Sequence, residues 1–114
     1  MLTVYGIPNC DTVKKAVTAL KEHQLPYTFH DYKKQGITPE KLALWLTQYP
    51  KETFINRAGT TWKQLSDEQK SAVQDDESAI ALMMEKPSVI KRPVIEKEGL
   101  IIAVGWKPET LAQL

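Results

Sequence analysis

Hydrophobic and polar residues alternate over the first positions of the chain, Leu2–Tyr5, and this spacing predicts a short β-strand. Residues 6–9, Gly-Ile-Pro-Asn, interrupt the pattern. Alternation resumes over residues 27–32 and predicts a second strand. Between the two strands, apolar residues recur at helical spacing and predict a helix: Val13, Ala16, Val17 and Leu20. The chain therefore opens with a βαβ unit, whose two strands we expect to be parallel.

The middle of the chain, residues 38–86, has a helical pattern and no strand signal. Thr38 is predicted to cap a helix whose first residue is a proline. Ser66 and Gln69 match the Ser-x-x-Gln capping box, in which each side chain accepts a hydrogen bond from the backbone of the other. Residues 78–85 are mostly apolar and predict a largely buried helix.

Two further strands are predicted near the end of the chain, at residues 94–96 and 100–104. Residues 97–99, Lys-Glu-Gly, are a tight link, so these strands should form an antiparallel hairpin. A last short helix is predicted over residues 108–114. The predicted fold class is α/β, with the order β-α-β, a helical insertion, then β-β-α, and with a mixed sheet of about four strands.

Composition narrows the classes of function. The chain of 114 residues fits one domain, and we expect a monomer. A formal net charge of +1 gives no strong field for nucleic acid or for an anionic membrane. The longest apolar runs are too short to cross a bilayer, and the first residues do not resemble a signal peptide. We therefore expect a cytoplasmic protein without a nucleic-acid or membrane partner.

Cys10 is the one cysteine, so any disulfide must form with a thiol from another molecule. It lies between a predicted strand end and a predicted helix start. Backbone amides there, from Asp11, Thr12 and Val13, are placed to stabilise a thiolate or an oxyanion bound to it. The negative charge of Asp11, in contrast, disfavours the thiolate. The alternative is that Cys10 is a small buried residue without chemistry.

Only two of the 15 basic residues are arginines, Arg57 and Arg92, and both lie in predicted loops. Arginine has a planar guanidinium that binds oxyanions through two hydrogen bonds, so both are candidate anion ligands. A structural ion pair or a surface charge is the alternative for each. Pro93 precedes a predicted strand, where either a cis or a trans peptide bond would fit.

Three stretches of the sequence resemble the arsenate reductase (ArsC) family, in its YffB branch, which is related to the Spx regulators. They are residues 5–12, 57–62 and 90–94. The resemblance implies a single thioredoxin-like domain over residues 1–114. Within it, the thioredoxin-like core comprises residues 1–32 and 87–114, and the helical insertion comprises residues 38–86.

The resemblance also implies a chemistry. Family arsenate reductases use the loop cysteine to attack arsenate, and glutathione and glutaredoxin then supply the reducing thiols. Carried over by position, Cys10 is the nucleophile, and Arg57 and Arg92 match two anion-binding arginines. Lys107 lies where the reductases have a third arginine. Pro93 corresponds to the family's cis-proline, which faces the thiol.

Two residues depart from the family pattern. Gly6 stands where arsenate enzymes have a histidine, and Lys107 lacks the planar group of arginine. We therefore expect a thiol-dependent reductase with glutathione as co-substrate and no bound cofactor, acting on a small oxyanion or a glutathione mixed disulfide. The alternative is a non-catalytic, Spx-like module that binds a protein such as RNA polymerase. The two histidines lack ligand spacing, so no metal site is predicted.

Overall fold

The computed structural model describes residues 1–114, and the chain forms two compact units. The first unit is discontinuous and comprises residues 1–35 and 92–114. The second unit comprises residues 36–91. No helix of either unit is long and apolar enough to span a membrane.

A four-stranded mixed sheet organises the first unit. Its elements, in chain order, are β1 (Leu2–Gly6), α1 (Asp11–Glu22), β2 (Tyr27–Asp31), α2 (Tyr32–Gln35), β3 (Val94–Lys97), β4 (Leu100–Val104) and a 3₁₀ helix (Pro108–Gln113). The strand order is β2-β1-β3-β4, so β1 is a central strand and β2 is an edge strand. β1 pairs in parallel with β2 and antiparallel with β3, and β3 pairs antiparallel with β4. The predicted α/β class, parallel βαβ unit and antiparallel hairpin are confirmed.

One face of this sheet forms an apolar core with α1. Leu2 and Val4 of β1, Leu20 of α1 and Ile95 of β3 are each at most 6% exposed and pack together. Burying side chains of this size contributes about 1.5–3 kcal/mol each. Partly buried apolar residues surround this cluster: Leu25, Tyr27, Phe29, Ile102, Ala103, Trp106 and Leu114. Because side chains alternate along a strand, the intervening residues of β1, including Tyr5, lie on the opposite face.

Helices form the second unit. They are α3 (Pro39–Leu46), α4 (Lys51–Phe54), α5 (Thr60–Lys63), α6 (Asp67–Ser71), α7 (Asp76–Glu85) and a 3₁₀ helix (Pro87–Val89). The predicted caps form: the Lys41 amide donates to Thr38 Oγ1 at 3.1 Å, and Ser66 and Gln69 complete a capping box. Trp45 and Phe54 are fully buried and stack with ring centroids 5.6 Å apart.

Two predicted element boundaries are wrong. The second strand ends at Asp31 rather than at residue 32, and Tyr32–Gln35 form α2 instead of continuing the strand and entering a loop. The reason is local: Asp31 Oδ1 accepts from the Lys33 amide at 2.8 Å, and Gln35 Oε1 accepts from the Asp31 amide at 3.0 Å. The helix predicted from residue 78 begins at residue 76, because Asp75 caps it by accepting from the Ser78 amide at 2.9 Å.

Candidate active site around Cys10

Cys10 occupies the N-cap position of α1 and is half-buried. Its backbone is extended, with φ −96° and ψ 126°, and its carbonyl accepts the first intrahelical hydrogen bond from the Lys14 amide at 2.9 Å. The Cys10 amide donates to the Ile7 carbonyl at 3.2 Å, which closes the turn after β1. Ser, Thr, Asp or Asn usually occupies an N-cap, because a side-chain oxygen there accepts from the amides of the first turn. In this protein a thiol stands at that position.

Three neighbouring groups lower the pKa of the Cys10 thiol: the backbone amides of Val13 and Thr12 and the side chain of Arg92. Partial burial raises the pKa of the thiol, but hydrogen bonds from Val13, Arg92 and Thr12, together with the charge of Arg92, lower it. The net effect is a Cys10 pKa below its ordinary value. The predicted third amide, that of Asp11, is not among these donors. The site therefore favours the thiolate, which is the nucleophilic form of cysteine.

Close packing between β1 and α1 fixes the loop that carries Cys10. A β-carbon added at Gly6 would lie 2.8 Å from Val13 Cγ2, which is closer than two carbon atoms can approach without displacement. Val13 is 2% exposed, so its side chain has little space to move away. Glycine at position 6 therefore lets the Val13 side chain pack directly against the end of β1.

Arg92 reaches the site from the start of the second segment of the first unit. It is half-buried and precedes a cis peptide bond to Pro93, which is itself fully buried. The Pro93 carbonyl accepts from the Gly105 amide at 2.7 Å, and Gly105 has φ +86°, a conformation that favours glycine. This hydrogen bond ties the segment before β3 to the end of β4. The structure thus brings Arg92 to Cys10, with Pro93 next to it in the chain.

A buried polar cluster lies on the face of the sheet opposite the apolar core. The Tyr5 hydroxyl donates to Glu96 Oε1 at 2.9 Å, and Glu96 is only 3% exposed. The ring of His30 lies 4.7 Å from that of Tyr5 and 6.3 Å from that of Tyr32. Burial raises the pKa of Tyr5 and of Tyr32. The positive charge of Arg92 partly offsets this rise at Tyr32. Sequence reasoning missed this cluster, and the one available signal was a glutamate inside a predicted strand.

The other predicted anion ligands have different surroundings. Arg57 is exposed in the second unit, with its guanidinium carbon 5.4 Å from the centroid of the Trp62 ring, within cation–π range. Lys107 is exposed in the first unit, where its amide donates to Thr110 Oγ1 at 3.0 Å. Their roles in anion binding stay predictions. No group of three or more His, Cys, Asp or Glu side chains is arranged to hold a metal ion.

The chain is similar to known proteins over nearly its whole length. Residues 5–114 match the ArsC family. The solved structure of a protein named YFFB is 48% identical, covers 98% of this chain and 96% of its own, and superposes with a TM-score of 0.90. A solution structure of an arsenate reductase (ArsC) related protein from Brucella melitensis is also 48% identical, with coverage of 96% and 90% and a TM-score of 0.79.

Among curated relatives, the global transcriptional regulator Spx of Staphylococcus haemolyticus is 26% identical over 113 residues. That alignment covers 97% of this chain and 84% of Spx. Together with the mixed sheet and its helices, these similarities establish the thioredoxin-like fold that the family resemblance implies. Because the match extends over nearly all of the sequence, the chain belongs to the ArsC family.

Proposed function

We propose that this protein is a glutathione-dependent thiol reductase in which Cys10 is the nucleophile. The observation that carries the proposal is the position of Cys10 at the N-cap of α1, where the amides of the first turn and the Arg92 side chain lower the pKa of its thiol. Such donors stabilise a thiolate near neutral pH, and a thiolate is the species that attacks disulfides. The name of the related Brucella melitensis structure supports a reductase of this family.

The reaction proceeds by two thiol–disulfide exchanges. The Cys10 thiolate attacks one sulfur of a glutathione mixed disulfide, forms a new disulfide with glutathione, and releases the other half as a thiolate that takes up a proton. A second glutathione thiolate then attacks the glutathione sulfur of this adduct, which releases the Cys10 thiolate and glutathione disulfide. The net reaction converts one mixed disulfide and one glutathione into the free substrate thiol and one glutathione disulfide. The second thiol comes from outside, because the chain has one cysteine.

The positively charged side chains are suited to bind an anionic substrate. Glutathione is anionic, and the Arg92 guanidinium, already at the sulfur, is the first candidate to orient a carboxylate. Arg57 and Lys107 are proposed as further anion ligands, on the strength of the family resemblance. Glutaredoxin is the other proposed source of the second thiol. The same thiolate would also attack a small oxyanion, but the mixed disulfide is favoured because Gly6 and Lys107 depart from the arsenate pattern.

The test is turnover of a glutathione mixed disulfide with glutathione as reductant, followed by the formation of glutathione disulfide. We expect Cys10→Ser to abolish turnover while its circular dichroism spectrum stays unchanged. Lys15→Gln, an exposed change in the same helix, should retain full activity. Turnover by Cys10→Ser, or an absence of turnover in the unmodified protein with both mixed disulfides and oxyanions, would refute the proposal.

A second candidate function is protein binding of the kind implied by the similarity to Spx, with RNA polymerase as the example partner. It differs from the first in its dependence on the thiol. Binding of this kind should survive Cys10→Ser, whereas the reductase should not. Pull-down with purified RNA polymerase, using the unmodified protein and Cys10→Ser side by side, separates the two.

A further inference from the structure

An open groove lies between α1 and the edge strand β2 in the first unit. Its volume is about 370 Å³, within the range of small-molecule sites, roughly 300–1,000 Å³. Its apolar lining residues come from the Cys10 loop, α1 and β2: Pro8, Val13, Val17, Tyr27 and Phe29. The reaction proposed above assigns no role to this groove.

Two lysines give the groove a charge preference. Lys14 and Lys21 line it and lie two helical turns apart on the same side of α1. None of its lining residues is acidic. Both ammonium groups are on exposed residues, so their long aliphatic stems border the apolar surface while their charges stay in water. An apolar chain that ends in an anion complements this surface, and a cationic ligand does not.

The groove adjoins the reactive thiol through shared residues. Val13, which is 2% exposed, forms part of the groove wall beneath its surface, and the amide of the same residue lowers the pKa of the Cys10 thiol. Pro8, at the opposite end of the turn that holds Cys10, lines the groove as well. A substrate whose disulfide reaches Cys10 therefore has this groove as a neighbouring surface for the group attached to its other sulfur.

We propose that the groove binds the non-glutathione half of the substrate, an apolar chain of moderate length that ends in a carboxylate or another anion. This inference rests on the proposed function, and it assigns a substrate class to the Cys10 site. The half-buried side chains of Val17, Tyr27 and Phe29 cover the chain. Lys14 and Lys21 attract the anion and set its direction along α1.

Binding is tested first, without chemistry, by titrating decanoate into the protein and mapping amide chemical shifts. The double variant Lys14→Gln/Lys21→Gln should weaken decanoate binding about tenfold, from the loss of two exposed charge contacts. Lys15→Gln/Lys34→Gln removes two exposed charges outside the groove and should leave affinity within about twofold. Equal affinity in both variants, tighter binding of decyltrimethylammonium, or shifts confined to another surface would overturn the inference.

Kinetics then test the connection to Cys10. We compare glutathione mixed disulfides of 8-mercaptooctanoate and of 8-mercaptooctanol, which differ in the terminal charge. Lys14→Gln/Lys21→Gln should raise KM for the octanoate substrate about tenfold with kcat unchanged, and should leave the alcohol unaffected. A KM for the octanoate substrate that does not change would refute the substrate assignment.

The two failures are distinguishable. If neither disulfide is turned over while decanoate still binds through the lysines, the reductase proposal fails and the groove is not a substrate subsite. If both disulfides are turned over and decanoate does not bind, the reductase proposal stands and only the groove inference fails. Cys10→Ser should bind decanoate as the unmodified protein does, because the groove does not include the sulfur.

Discussion

The backbone of Gly6 lies against the side chain of Val13, so that a β-carbon at position 6 would lie 2.8 Å from Val13 Cγ2. Gly6→Ala should therefore lower the free energy of unfolding by about 1–3 kcal/mol through overpacking. Urea unfolding measures the change. In the double variant Gly6→Ala/Val13→Ala the two losses should be less than additive, because the second change removes the clash. Strict additivity would show that the two residues do not compete for space.

Arg92 stabilises the Cys10 thiolate by a hydrogen bond and by its charge. Arg92→Gln should raise the pKa of Cys10, although not to that of a free thiol, because the amides of Val13 and Thr12 remain. The rate of alkylation by iodoacetamide as a function of pH gives this pKa. Lys15→Gln removes an exposed charge on the same helix and is the matched control. An unchanged pKa in Arg92→Gln would mean that the guanidinium does not act on the sulfur.

Thiolate stabilisation also makes folding stability depend on pH. The Cys10 pKa is lower in the folded protein than in the unfolded chain, where it is about 8.5. Between the folded-state and the unfolded-state pKa of Cys10, the unfolded state binds more protons than the folded state. The contribution of Cys10 to the free energy of unfolding therefore grows as the pH rises. It is complete above the unfolded pKa and is lost as the pH falls through the folded pKa.

This pH dependence is isolated by comparison with Cys10→Ser. The difference in free energy of unfolding between the unmodified protein and Cys10→Ser should increase over this window and then level off. Urea unfolding at a series of pH values, with a reductant present, measures it. A difference that is flat, or that falls as the pH rises, would contradict a lowered thiol pKa.

The hydroxyl of Tyr5 satisfies a carboxylate that is almost fully buried, Glu96. Tyr5→Phe should lower the free energy of unfolding by about 1–3 kcal/mol, because it removes a donor from a group that cannot reach water. Tyr27→Phe, at a half-buried position on the opposite face, should cost less than about 0.5 kcal/mol. Equal effects of the two changes in thermal unfolding would show that the hydrogen bond contributes no net stability.

Trp45 and Leu44 are neighbours in α3 with opposite surroundings. Trp45 is 0% exposed and stacks on Phe54, whereas Leu44 is 44% exposed. Trp45→Ala should lower the free energy of unfolding by about 3–5 kcal/mol, and Leu44→Ala by about 0.5 kcal/mol or less. Chemical denaturation of both variants provides the comparison. Similar losses would mean that the second unit does not depend on this aromatic pair.

Elements with a clear hydrophobic period could be predicted from the sequence. The alternation at Leu2–Tyr5 and the helical spacing from Val13 to Leu20 predict β1 and α1 because residues at these spacings share one face, which packs in the apolar core. Cys10 could be placed at the junction for the same reason. The short helix at Tyr32–Gln35 could not be predicted in this way. It depends on hydrogen bonds that the side chains of Asp31 and Gln35 accept from backbone amides, and not on a hydrophobic period.

Contacts between distant segments lie beyond what a local pattern contains. The pairing of Tyr5 with Glu96 depends on the register between β1 and β3, which places Val4 opposite Ile95. The approach of Arg92 to Cys10 depends on the same register. The sequence could mark Arg92 as a rare arginine, and the family resemblance could assign it to the thiol, but residue spacing alone could not bring the two together.

The discontinuity of the first unit has a consequence for the order in which the protein assembles during synthesis. Central strand β1 is made before the second unit, whereas its antiparallel partner β3 begins at Val94, after the whole of that unit. Residues 36–91 contain their own helices and core, so they can fold before β3 is available to pair with β1. Arg92 is the first residue after that unit. The complete sheet and the approach of Arg92 to Cys10 therefore form only after the second unit has been made.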